Sequence, residues 1–280
     1  MVYNFNIQFQ LIGLILLTMI GLMSFSRKNL NMMSFRAYKY LFSIVVLSLM
    51  LDILSIFTIN YREDVGYFTN EIICRLYIFS LVTVSACVLF YTLSEIYSGE
   101  LKYKKKLLLF LIPEAVAVPC VFLTNIDFHM DSESIYTYGT STDLGSAAVC
   151  LYFGISLVYL FIYRKKINQG RRNSIIFMAA ALVGTGIFQS FHRKYLVAGI
   201  AMSIAMVYVY LTLENPEDNI DRKTGAFNSD AFSLYVKALC LAKKKFSLIN
   251  LHFEGYKYIQ DIYGQEIMRW RHRYLITVSR

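Results

Sequence analysis

Two carboxylates stand in the middle of apolar runs where water is scarce. Asp52 lies in SIVVLSLMLDILSIFTIN and Glu114 in LLLFLIPEAVAVPCVFL. An ionised side chain in hydrocarbon costs about 3 kcal/mol or more unless it is paired or neutralised, so such residues mark ligand, ion or proton sites by default. Pro113 and Pro119 flank Glu114 and open backbone carbonyls on the same helix. Asp52 and Glu114 are therefore expected to line one ligand cavity between helices. The alternative is a neutral carboxyl hydrogen-bonded to a neighbouring Ser or Tyr, which serves packing alone.

Other reactive residue types form no constellation of this kind. The five cysteines include no C-x-x-C pair and read as small apolar packing residues. A disulfide between two of Cys74, Cys120 and Cys150, which fall near the same ends of their helices, is the alternative. Arg75 and Glu71 stand one helical turn apart and read as an interfacial ion pair. His129 and His192 have no partner pattern and read as surface histidines. Nothing in the spacing resembles paired broken transporter helices or a channel filter.

The elements that position these residues are apolar blocks. Hydrophobic residues make up 56% of the 280 and charged residues 17%, with a mean hydropathy of +0.47, whereas a soluble domain carries about 25% charge. Seven blocks of about the length a bilayer requires occur near 8–26, 41–60, 74–96, 107–125, 145–163, 174–191 and 195–213. The first lacks a basic n-region and a cleavage site, so it reads as a retained membrane helix. The expected fold class is an α-helical polytopic membrane protein with about seven transmembrane helices, followed by a truncated α/β domain.

The net charge of +9 reads as topology rather than as a nucleic-acid surface. Alternate loops hold Arg27, Lys28, Arg36 and Lys39, then Lys102, Lys104, Lys105 and Lys106, then Arg164, Lys165, Lys166, Arg171 and Arg172. The opposite loops carry Asp127, Asp131, Glu133 and Asp143 without a base, or one Arg against three acids. Positive-inside asymmetry predicts an inner (cytoplasmic) membrane protein with its N-terminus outside and its C-terminus in the cytosol. Expected partners are the lipid bilayer and an unknown small-molecule signal, with no nucleic acid.

From Glu214 onward the pattern changes to that of a soluble unit. Asn215-Pro216 interrupts the last membrane helix. Phe232, Tyr235, Val236 and Leu239 recur at helical spacing and predict an amphipathic helix over 229–244, N-capped by Ser229, with Lys243 to Lys245 at its far end. FSLINLHF, 246–253, predicts a buried strand, and 256–263 a second helix closed by Gly264.

These residues also carry a resemblance. DRKTGAFN, 221–228, resembles the D-x-L-T-G-L-x-N segment that opens GGDEF domains, with Asp221, Thr224, Gly225 and Asn228 matching. HFEGYKYIQDIYGQE, 252–266, is similar to that family's D-I-D-x-F-K-x-I-N-D-x-Y-G-H-E stretch, with Lys257, Ile259, Asp261, Tyr263, Gly264 and Glu266 matching. The resemblance covers about 214–267. It implies a diguanylate cyclase-like domain, in which two GTP molecules meet across a homodimer and Mg²⁺ ions held by strand carboxylates activate the attacking hydroxyl.

Residue by residue, the resemblance puts that activity in doubt. His252 stands where the family has a metal-ligating Asp, and imidazole is a poor ligand for Mg²⁺. Glu254 keeps the second strand acid. Gln260 replaces the Asn that reads guanine, and Arg269 inverts the charge of the Asp that completes that recognition. The G-G-[DE]-E-F hairpin has no counterpart in the sequence. MRWRHRYLITVSR, 268–280, no longer resembles the family and reads as a divergent basic end, either of a truncated domain or of a tail resting on anionic lipid.

The expected organisation is a membrane sensor module over 1–213, a connector over 214–220, a partial degenerate GGDEF-like domain over 221–267 and a basic tail over 268–280. The expected function is signal sensing of the bacterial cyclic di-GMP type without catalysis. No catalytic residue and no resident cofactor is expected in this chain, Mg²⁺ and GTP belonging only to an intact domain. Two alternatives are the front of an active cyclase and a receptor or transporter module with an incidental tail.

Overall fold

The computed structural model describes residues 7–25, 33–97, 111–130, 135–165, 167, 169–192, 195–214, 221, 227–241 and 246–247. Helices occupy all seven apolar blocks. In chain order they are α1 (Gln8–Phe25), α2 (Met33–Asn60), a short α3 (Arg62–Val65), α4 (Tyr67–Tyr97), α5 (Ile112–Leu123), α6 (Thr140–Ile162), α7 (Gln169–Phe191) and α8 (Ala198–Val209). A π-helical turn, Tyr210–Glu214, extends α8, and α9 (Ser229–Leu241) follows. Four segments, Gln8–Phe25, Phe35–Asn60, Tyr67–Tyr97 and Thr140–Ile162, are long and apolar enough to cross a membrane.

Two of these helices outrun their apolar blocks. At a rise of about 1.5 Å per residue, the 28 residues of α2 and the 31 of α4 each exceed the roughly 30 Å of a hydrocarbon core. Backbone hydrogen bonding continues past the apolar edge because water-facing residues keep their helical geometry. Arg36 and Lys39, read from sequence as loop residues, are therefore helical. Lys39 lays its ammonium 4.8 Å from the centre of the Phe35 ring and 5.7 Å from that of Phe25. The segment 61–73, expected as a loop, is mostly α3 and the start of α4. Gly66, at φ 83°, makes the break between them in a conformation that side chains disfavour.

The acidic loop 126–144 holds structure the sequence reading did not foresee. Strands β1 (Asp127–Met130) and β2 (Ile135–Tyr138) pair antiparallel, from Asp127 opposite Tyr138 to Met130 opposite Ile135. Ile126 and Ile135 pack with Ile56, Ile59, Cys74, Ile78 and Val121 in an apolar cluster, which seats the hairpin on the helix ends.

Neighbouring contacts order the helices as a ring, α1–α2–α4–α6–α7–α8 and back to α1, with α2 also touching α8. Helix α5 packs chiefly against α4 and α6, outside that ring. Small residues set the α1–α8 seam: Gly13 approaches the Gly199 carbonyl so closely that a Cβ would lie 3.3 Å from it. Along α1 the buried residues Gln10, Gly13, Leu17, Ile20 and Ser24 form one stripe at helical spacing. The large apolar residues Leu11, Ile12, Ile15, Met19 and Leu22 face outward. Small and polar residues inside with large apolar residues outside is the arrangement that lipid, not water, favours.

Helix α9 begins as the sequence predicts but with a different cap. Asn228, not Ser229, accepts the orphan amide, with the Ala231 N–H donating to Asn228 Oδ1 at 2.9 Å. Ser229 is the first helical residue, because the Asn side chain reaches an amide three residues on. The predicted 246–253 strand and 256–263 helix lie outside the described residues, apart from Phe246 and Ser247.

Candidate functional site

Asp52 meets its partners near the hairpin end of the ring. The Gln10 amide on α1 donates to Asp52 Oδ2 at 3.0 Å and to the Leu196 carbonyl, just before α8, at 3.2 Å. Tyr77 on α4 hydrogen-bonds the same carboxyl group. Gln10 is fully buried and Asp52 is 3% exposed, so the bonds among them stand in for most of the water contacts that both side chains give up on folding. Gly199 admits this approach, since a Cβ there would sit 2.4 Å from the Leu49 Cδ1 atom and 3.6 Å from Asp52 Oδ2.

A cavity of about 310 Å³ opens beside Asp52. Its inner wall is Asp52 and Ser55 of α2 with Tyr77 of α4, and strand β2 roofs it with Tyr136 and Tyr138. Thr142 and Asp143 of α6 and Gln189 of α7 close the remaining sides. The Tyr136 ring is held in place by stacking on His129 across the hairpin, with centroids 4.7 Å apart. Together these groups offer carboxylate, hydroxyl and amide contacts to a small polar ligand, in a concave site of the size that binds one.

Glu114 does not share this cavity. It sits on α5, outside the ring, where the Thr83 hydroxyl of α4 donates to Glu114 Oε1 at 2.7 Å and Tyr152 of α6 hydrogen-bonds it. The expected joint cavity therefore separates into two sites. Asp52 faces open space between helices, while Glu114 seals the α4–α5–α6 seam, the packing role weighed for a lone carboxyl. Sequence reasoning missed Gln10, which stands near the start of the first apolar block, two residues after Gln8. Tyr77, Thr142 and Gln189 carried no separate signal among so many tyrosines and hydroxyl residues.

Arg75 and Glu71 do pair, with Arg75 Nη2 at 2.6 Å from Glu71 Oε1, and Arg75 Nη1 also donates to the Val121 carbonyl. All five cysteines are free; Cys74 packs at 0% exposure with its thiol directed at the Asn70 side-chain oxygen. Among the described residues, no group of three or more His, Cys, Asp and Glu is placed to hold a metal ion.

Of the residues that carry the GGDEF resemblance, Asp221 and Asn228 are described, and Asn228 acts as the helix cap. Thr224, Gly225, His252, Glu254, Lys257, Gln260, Asp261, Gly264 and Arg269 lie outside the described residues. Comparison with family models, curated proteins and solved structures finds no match to this chain.

Proposed function

We propose that this chain is a membrane-embedded sensor that binds a small polar ligand beside Asp52 and relays its presence along α8 to the segment that begins at DRKTGAFN. The observation that carries this reading is the course of α8. Leu196, at its entry, lines the cavity and accepts the Gln10 hydrogen bond. Its other end runs into the Tyr210–Glu214 π turn, immediately before the connector. π turns concentrate at functional positions in helices. This one is anchored to α7 by a 2.7 Å contact between Thr212 and Ser174 hydroxyls. A ligand that shifts the Gln10–Asp52–Leu196 group would shift α8, and the π turn is where that movement leaves the membrane module.

In this reading the chain spans the inner membrane seven times, with α5, α7 and α8 as crossings beside the four long helices. The basic loops lie in the cytosol and the hairpin outside. A reporter fused after residue 220 should be active in the cytosol; activity confined to the exterior would refute the topology. The GGDEF resemblance supports a cyclic di-GMP output, and His252, Gln260 and Arg269 support an output without catalysis. Purified full chain given GTP and Mg²⁺ should make no cyclic di-GMP beyond a variant lacking 221–280. Product above that control would favour the active-cyclase reading instead.

A further inference from the structure

The cavity beside Asp52 has an annex of different chemistry. A second chamber of about 310 Å³ lies deeper between α4, α6, α7 and α8. The two share walls at Ile78, Leu81, Thr142, Ser146, Gly186 and Gln189. Apart from those shared residues the deeper chamber is lined mainly by apolar side chains, among them Val149, Phe153, Leu182 and Met202, and among the described residues no charged one lines it. Among the described residues, the upper chamber is lined by two carboxylates, Asp52 and Asp143, and by no Lys, Arg or His.

We infer that the ligand is an amphiphilic amine that carries at least one N–H, its ammonium in the upper chamber against Asp52 and its hydrocarbon in the deeper one. This rests on the sensor reading and names the ligand class of the same site. Two carboxylates without a cation select positive charge over an anion such as a fatty acid. The annex offers no carboxylate among the described residues, so it takes hydrocarbon in preference to the second ammonium of a polyamine, which would be desolvated there without a partner. The Thr142 hydroxyl stands at the junction, buried and without a hydrogen-bond partner among the described residues. It can accept from an ammonium N–H, which a quaternary ammonium lacks. Tyr77, Tyr136 and Tyr138 surround the upper chamber with rings suited to a cation.

Gly186 supplies a test at the junction of the two chambers. It lines both, and a Cβ there would meet nothing within 4 Å, so a Gly186→Leu side chain starts in open space and its melting temperature reports whether the larger atoms fit. Asp52→Asn keeps an oxygen for the Gln10 amide and removes the charge. The full chain in lipid nanodiscs is titrated calorimetrically with octylamine, octanol, octanoate and spermidine, against empty nanodiscs to subtract partitioning. Wild type should bind octylamine saturably and in preference to the other three. Asp52→Asn should weaken octylamine by about tenfold or more and leave octanol unchanged, and Gly186→Leu should weaken it while its melting temperature stays at the wild-type value.

Equal binding of octylamine to wild type and Asp52→Asn would overturn the assignment, as would octanoate or spermidine binding at least as tightly, or no saturable octylamine binding. The sensor reading is read separately, from tryptic cleavage at Arg222 or Lys223 with and without octylamine. Saturable binding with an unchanged cleavage rate keeps the ligand class and sinks the relay along α8. Altered cleavage produced by octanoate or spermidine alone keeps the relay and sinks the ligand class.

Discussion

Replacing Gly139 with alanine should destabilise the protein by about 2 to 4 kcal/mol, because conformational strain and a backbone clash add at one residue. Gly139 joins β2 to α6 at φ 113°, a region that L side chains rarely enter. A Cβ there would lie 2.9 Å from the Asn125 carbonyl oxygen. That oxygen is held in place, since it accepts the Ser141 N–H at 3.0 Å and so ties the start of α6 to the segment between α5 and β1. Equilibrium unfolding in mixed micelles measures the loss. Gly66→Ala is the companion: its φ is 83° but nothing lies within 4 Å of a Cβ there, so it should cost about 1 kcal/mol from strain alone. Equal costs at the two glycines would mean that the Asn125 contact carries no weight. Because β2 roofs the cavity, Gly139→Ala should also reduce ligand binding more than Gly66→Ala does.

Replacing Arg75 with methionine should cost about 2 to 3 kcal/mol, through two losses in one side chain. Arg75 is 7% exposed. It holds Glu71 one turn away, and it donates to the Val121 carbonyl in the last turn of α5. Carbonyls there have no amide four residues on within the helix. Ser141 Oγ donates to the same carbonyl at 2.8 Å, so Arg75 and Ser141 together close the end of α5, where a cation is also favoured by the helix dipole. Removing Arg75 leaves Glu71, itself partly buried, without its counter-charge. A double-mutant cycle separates the two losses. Glu71→Gln alone should cost less than Arg75→Met, and the double variant should lie between Arg75→Met and wild type. If Arg75→Met and Glu71→Gln cost the same, the ion pair is the whole effect and the bond to Val121 contributes nothing.

Both predictions concern contacts that the sequence could only half disclose. That Arg75 and Glu71 pair follows from their i, i+4 spacing. That the same guanidinium caps another helix does not, because Val121 is 46 residues away and a carbonyl leaves no mark on residue type. The hairpin is similar. Its strands are four residues each, too short for alternation to stand out beside the acidic residues around them, and the bundle end beneath it supplies the apolar surface that seats Ile135. Asn228 was legible as a motif residue but not as a cap, since Ser229 beside it has the same chemistry and the backbone decides which of the two reaches the amide.

What the sequence determined by itself is where the helices run and which residues could not stand alone. Block length fixes a helix in an apolar setting because its backbone must satisfy its own hydrogen bonds there, and Asp52 and Glu114 announce an unpaid desolvation wherever they sit. Only the tertiary structure decided how each was compensated. Hydrophobic pattern does not say that α8 is the helix that meets the Gln10–Gly13 stripe of α1, or that α5 lies outside the ring, because pattern marks a packed face but not its partner. Those two placements brought Gln10 to Asp52 across 42 residues, put Glu114 between α4, α5 and α6, and left open space beside Asp52.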